Sequence, residues 1–325
     1  MGNWIDFLWL LFLVAVGSWA AGMLVTRAIT PWLLGRPAHW IRRETQCLTL
    51  ASAPLLVMLW SVFSVVLLAA AKQAGWIADH CLYHEGVAHL HLCLEHVPAL
   101  NLTALHGVVA FGALAVPVVG GARLLYREQE LAQRLTLLRR VGHGVVQRVP
   151  ALRPMACAGG IRKPVIVLSR TLLDGLAPRQ RRVVLAHEAA HLRHGDPKRS
   201  LALELLLLFH APGSARLIRK SWSQALEERA DDITAQRFGR HFVARTLLDV
   251  YRLGARAPRG SWSVAGTGLQ RRIERLLQTR QEPGPGTRRD EVTGWLYGAM
   301  LALLPVLLIT YHHSLETALS HVPGM

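Results

Sequence analysis

Four runs of this chain carry no charged side chain: Phe7 to Thr26, Thr45 to Ala71, His96 to Ala122 and Val292 to Ser314. Each is long enough to cross about 30 Å of hydrocarbon as a helix. Inside a bilayer every backbone amide must be bonded within its own segment, which restricts such runs to helices. We therefore expect four transmembrane helices, at about 5–26, 48–71, 102–122 and within 291–325, the last with Pro305 as a kink point. Asp6 precedes the first run and no basic segment leads it, so a cleaved signal peptide is not expected.

The charge distribution orients these spans. The chain is 51% hydrophobic yet carries a net charge of +16, a pairing that suits a membrane protein with basic inner loops. Of its 37 Lys and Arg, all but Lys72 lie in 27–46 or 123–290. Arg27, Arg36, Arg42 and Arg43 in the first short loop outweigh Lys72 in the second. Both chain ends are then expected outside, with the segment between the third and fourth spans in the cytoplasm. The expected organisation is a membrane region over 1–122, with an outer loop at 72–101, a cytoplasmic domain over 123–290, and a final span with a short outer tail over 291–325. The basic residues are spread through helical stretches beside apolar runs, so no direct nucleic-acid binding is expected.

The outer loop holds His80, Cys81, His84, His89, His91, Cys93 and His96. Two readings stand: a disulfide between Cys81 and Cys93 in an oxidising compartment, or a metal-binding loop. Cys47 and Cys157 read as structural thiols.

The chemistry concentrates in His187-Glu188-Ala189-Ala190-His191. Imidazoles four residues apart lie on one face of a helix, one above the other, a spacing that suits Zn²⁺. Glu188 beside them is the candidate general base. Pro178 can start this helix and Gly195 can end it. A third ligand is needed. Glu227-Glu228-Arg229-Ala230-Asp231-Asp232 lies in an expected helix from Ser214 to Phe238. Glu227 with Asp231, or Glu228 with Asp232, puts two carboxylates on one helix face, and geometry alone leaves the frame open. An acidic face paired with Arg229 and Lys220 is the purely structural alternative.

H-E-x-x-H followed by E-x-x-A/C-D resembles two related groups of membrane-embedded zinc peptidases. One is the BlaR/MecR antirepressor type; the other contains HtpX and the CAAX prenyl proteases. His187 to Pro197 and Lys163 to Ser169 are most similar to the BlaR/MecR type, and Gln270 to Leu276 is similar to an R-I-x-x-L element beyond the active site. The resemblance implies one catalytic Zn²⁺ held by His187, His191 and Glu227, with Asp231 orienting a ligand imidazole. It implies a mostly α protein in a bacterial inner membrane: four transmembrane helices plus a cytoplasmic α+β zincin-like (gluzincin) metallopeptidase domain with a short edge sheet. It also implies a protein substrate, such as a cytoplasmic transcriptional repressor, cut by a zinc endopeptidase. Membrane-protein quality control and a non-catalytic metal-sensing transducer are the alternatives. About ten residues follow Ser314, so the β-lactam sensor domain of the full receptors is not expected. Where the related families place a His-Pro-Pro stretch, this chain has Ser263 to Gly268. That leaves Arg272 and His241 as candidate transition-state donors.

Local signals fill in the rest. Gly144 to Pro150 and Lys163 to Ser169 are β-rich, with Gly159-Gly160 as a turn between them. The second run is expected at a sheet edge, where a substrate strand could add. Asp196-Pro197 reads as a helix start, with Asp196 as the cap.

Overall fold

A computed structural model describes residues 3–76, 104–141, 145–151, 154–254, 262–263 and 268–278. The His/Cys-rich stretch of the expected outer loop and the expected last span fall outside the described residues.

Two long helices form the first layer: α1 (Asn3–Gly35) and α2 (Trp40–Gln73). Both are long and apolar enough to cross a membrane, which suggests membrane association. They pack on each other along their length. At the join, Arg43 donates to the carbonyls of Leu34 (2.8 Å) and Arg36 (2.5 Å). That satisfies acceptors which the end of α1 would otherwise leave open. The third helix, α3 (Ala104–Val141), runs unbroken from the expected third span through the basic stretch after it. Its 38 residues extend about 57 Å.

A four-stranded sheet follows: β1 (Val146–Val149), β2 (Ala156–Gly159), β3 (Val165–Ser169) and β4 (Trp262–Ser263), in the order β1-β3-β2-β4. β1 runs parallel to β3; β2 is antiparallel to β3 and β4. The β3 run is therefore not an edge, contrary to expectation. The reason lies in its composition. Every residue from Val165 to Ser169 is buried, as a continuous apolar run requires of a strand covered on both faces. Ile166 and Leu168 join a core with Val183, Val184, Val243, Leu247 and Leu276, while Val165 and Val167 pack on Leu135 of α3. The expected turn before β3 is present, and β2 is a strand the Gly-Gly signal concealed. Gly160 has φ +92°, and a Cβ there would stand 2.6 Å from the Lys163 carbonyl.

Six helices complete the domain: α4 (Arg170–Asp174), α5 (Pro178–Arg193), α6 (Asp196–Leu207), α7 (Pro212–Phe238), α8 (Arg240–Arg252) and α9 (Leu269–Leu277). Ser169 ends β3 and starts α4, its hydroxyl accepting from the amides of Leu172 and Met155. α5 packs on β2, α7 and α8. α7 in turn packs on α2, where Cys47, Leu50 and Ala51 meet Ile218, Trp222 and Leu226. The α1–α2 hairpin and the domain that follows it thus share a core. Trp222 sits at its centre, fully buried, with its indole N–H on Ser200 Oγ at 2.9 Å. Trp222→Ala should destabilise the protein by about 3–5 kcal/mol. A thermal melt in detergent that matches wild type would show that α7 does not depend on this core.

Candidate metal centre

The site forms where α5 passes α7. On α5 the buried positions Val183, Val184, His187, Glu188, Ala190 and His191 follow one helix face. The first two anchor the face in the core, and the same periodicity turns both imidazoles and Glu188 inward. α7 is buried on every side from Ala225 to Asp231, and the four-residue spacing of Glu227 and Asp231 brings both to the same place. Among the described residues, His187, His191 and Glu227 form a group whose ligand atoms all lie within 4.8 Å of one another.

The separations test whether zinc fits. His187 Nε2 is 3.3 Å from His191 Nε2 and 3.4 Å from Glu227 Oε2; His191 Nε2 is 3.8 Å from Glu227 Oε1. Ligand atoms about 2.0–2.1 Å from a tetrahedral zinc stand about 3.3 Å apart. The donor set, two imidazoles and one carboxylate, is also a zinc set. Charge points the same way. Glu188, Asp196, Glu227 and Asp231 are buried with two buried arginines, Arg229 and Arg272, and a divalent cation would balance them.

Both imidazoles have a carboxylate behind them. Asp231 Oδ1 lies 3.2 Å from His187 Nδ1, close enough to pair with the imidazole but without the geometry of a hydrogen bond. The partner of His191 is Asp196, whose Oδ2 lies 2.7 Å from its Nδ1. Asp196 is therefore not the helix cap its Asp-Pro context suggested. Gly195, at φ +67°, is the residue before α6, and no side chain caps it. The Asp196 carboxylate turns inward because an imidazole and Arg229 compete for it more strongly than a backbone amide does.

Arg272, from α9, closes the site. Its Nε and NH2 donate to the two oxygens of Asp231, both at 2.7 Å, and its NH1 lies 2.8 Å from Glu227 Oε2. One guanidinium thus orients both acids of the Glu-x-x-x-Asp pair. The other frame points elsewhere: Glu228 pairs with Arg271 and Arg275, and Asp232 with Arg275 and the Trp40 indole. The other candidate donor, His241, is exposed at the start of α8, and the contacts that define the site do not include it.

These contacts set the protonation of the protein groups. Burial opposes a charged His187, but Asp231 and Glu227 outweigh it and lift the imidazole to about 10. Burial would raise Asp231 and Glu227; the Arg272 charge and the His187 contact hold both below the usual carboxylate range. Glu188 differs. It is fully buried, neither carboxylate oxygen has a hydrogen-bond partner, and burial raises its pKa. On β2, Cys157 is lifted to about 12 by burial and then by the Glu188 charge. Replacing either imidazole ligand with Ala should abolish tight zinc binding. Asp196→Asn and Asp231→Asn should each weaken it by about 10–100-fold. Glu227→Ala should lose more zinc than Glu228→Ala in a chelator competition; the reverse order would move the ligand by one residue.

Residues 145–280 match the model of peptidase family M48. The match spans β1 to α9 and includes His187, Glu188, His191, Asp196, Glu227, Asp231 and Arg272. No curated protein matches the chain. Residues 145–280 are similar to the zinc metallopeptidases of family M48, and that similarity, with the triad of His187, His191 and Glu227, supports a metallopeptidase function.

Proposed function

We propose that the chain is an integral-membrane zinc endopeptidase that hydrolyses peptide bonds of a protein substrate on the cytoplasmic side. The observation that carries this is the buried triad with an unpartnered Glu188 beside it. His187, His191 and Glu227 would hold the ion, which supplies a Lewis acid and an acidified water when bound. Glu188 takes the proton of the attacking water and passes it to the leaving amine. Burial raises its pKa, which strengthens its hold on that proton. Asp196 would fix the His191 tautomer through its Nδ1, and Asp231 faces the corresponding nitrogen of His187 at 3.2 Å. Arg272 holds Glu227 in place and is the nearer of the two candidate donors for the developing oxyanion.

Regulatory cleavage of a cytoplasmic repressor is the physiological role we favour, on the resemblance of His187–Pro197 and Lys163–Ser169 to the BlaR/MecR type. The intact set of ligands and base favours an enzyme over a metal-sensing scaffold.

Glu188→Gln separates binding from chemistry. It should keep zinc and lose at least about 100-fold in peptide cleavage. Comparable turnover of a protein substrate by this variant would sink the mechanism.

Orientation has its own test. A reporter fused after Arg199 should read as cytoplasmic, and one near Gly86 or at the C-terminus as external. Ready cutting at α5 by a protease added outside spheroplasts would invert the topology and exclude a cytoplasmic repressor as substrate.

A further inference from the structure

The carboxylate behind His191 does not end the chain of contacts. One oxygen of Asp196 faces His191 Nδ1 at 2.7 Å, and the other accepts from Arg229 NH2. Arg229 NH1 donates to Glu44 Oε1 at 2.6 Å. Glu44 lies near the start of α2, in the membrane hairpin, 185 positions from Arg229 in sequence. Its second oxygen accepts from Arg199 at 2.5 Å. Glu44, Arg229, Asp196 and His191 are 6%, 4%, 2% and 3% exposed. A line of buried, paired charges therefore joins a membrane helix to a candidate metal ligand.

Stability is a poor reason for such a line. Buried ion pairs are costly to desolvate, and well-packed apolar residues often serve as well. Geometry supplies a better one. A guanidinium readily takes both oxygens of one carboxylate. If Arg229 did so with Asp196, it would compete with the His191 N–H. Glu44 holds NH1, so that NH2 alone reaches Asp196 Oδ1 and Oδ2 is left to the imidazole. We propose that Glu44 is a positioning residue for the metal site, fixing the His191 tautomer and ring through Arg229 and Asp196. The membrane hairpin is then part of the site. This inference rests on the metal site proposed above.

The test uses the full chain in detergent. Zinc affinity is measured by chelator competition, and ligand geometry by the visible spectrum of the Co²⁺-loaded protein. Glu44→Gln should weaken zinc binding by about tenfold and change the Co²⁺ spectrum. Glu44→Asp keeps the charge and should lose less. In an Arg229→Gln background, Glu44→Gln should add much less than it does alone, because its other route to Asp196, through Arg199, ends in a longer contact of 3.8 Å. Trp19→Phe serves as the control. It removes a different hairpin contact, the indole bond to the Phe209 carbonyl at 2.8 Å. It should lower thermal stability and leave zinc affinity and spectrum unchanged.

Wild-type affinity and spectrum in Glu44→Gln, or additive effects with Arg229→Gln, overturn the proposal. So does an equal zinc loss in Trp19→Phe, which would mean that any hairpin damage suffices. Should Glu44→Gln fail to fold, Glu44→Asp decides: its carboxylate keeps the charge but falls one methylene short of Arg229 NH1, so zinc affinity should drop, and wild-type affinity with a wild-type Co²⁺ spectrum overturns the proposal. Failure of the wild type to bind zinc, or zinc retained without His187 and His191, would instead sink the metal site itself.

Discussion

Four carboxylates and two imidazoles are buried together at the crossing of α5 and α7, and the rest of the domain is arranged to make that tolerable. Like charges at this depth are strongly unfavourable unless each is paired and hydrogen-bonded. Two arginines supply the pairing from opposite sides. Arg272 reaches Asp231 and Glu227 from α9, and Arg229 reaches Asp196 from α7 itself. Neither could be replaced by lysine without loss. Each guanidinium holds two acids at once, in a planar fork that a single ammonium lacks.

Glu188 is the exception, and its isolation is informative. The other three buried acids have a cation or an imidazole within hydrogen-bond reach; both its oxygens have none. An unpartnered buried carboxylate is destabilising for a fold, and its raised pKa follows from that. The arrangement makes sense if Glu188 works on a group that comes and goes. The ligands are locked by neighbours, while the base is left free to exchange a proton.

Much of this was legible in the sequence, and what was not has a physical reason. The His187/His191 and Glu227/Asp231 spacings are read directly, because helical periodicity fixes which side chains share a face. The boundaries of α5 followed from Pro178 and Gly195. The choice between Glu227 and Glu228 required knowing which face of α7 meets α5, and that depends on Ile218, Trp222 and Leu226 packing on α2. Asp196 was misread because Asp-Pro is a sufficient local signal for a helix start; only the fold shows that His191 and Arg229 take its carboxylate. β3 was misplaced because an apolar five-residue run marks a buried strand but does not name its neighbours. Arg272 lies forty-one positions from Asp231, and no local pattern foretells that they meet.

The shared core between α2 and α7 changes what counts as the domain. The M48-like segment begins at residue 145, yet the helix carrying Glu227 rests on Cys47, Leu50 and Ala51. Trp40 and Glu44, from the same end of α2, bond to Asp232 and Arg229 of α7. Packing energy and hydrogen bonds therefore cross between hairpin and domain at the turn of α7 that carries Glu227, the third candidate ligand. Interiors packed this closely transmit small shifts and do not absorb them. A displacement of α2 relative to α7 would be felt at Arg229 and Trp222 before it was felt at the surface. The packing of α2 and the arrangement of the candidate metal ligands thus meet on one helix, α7.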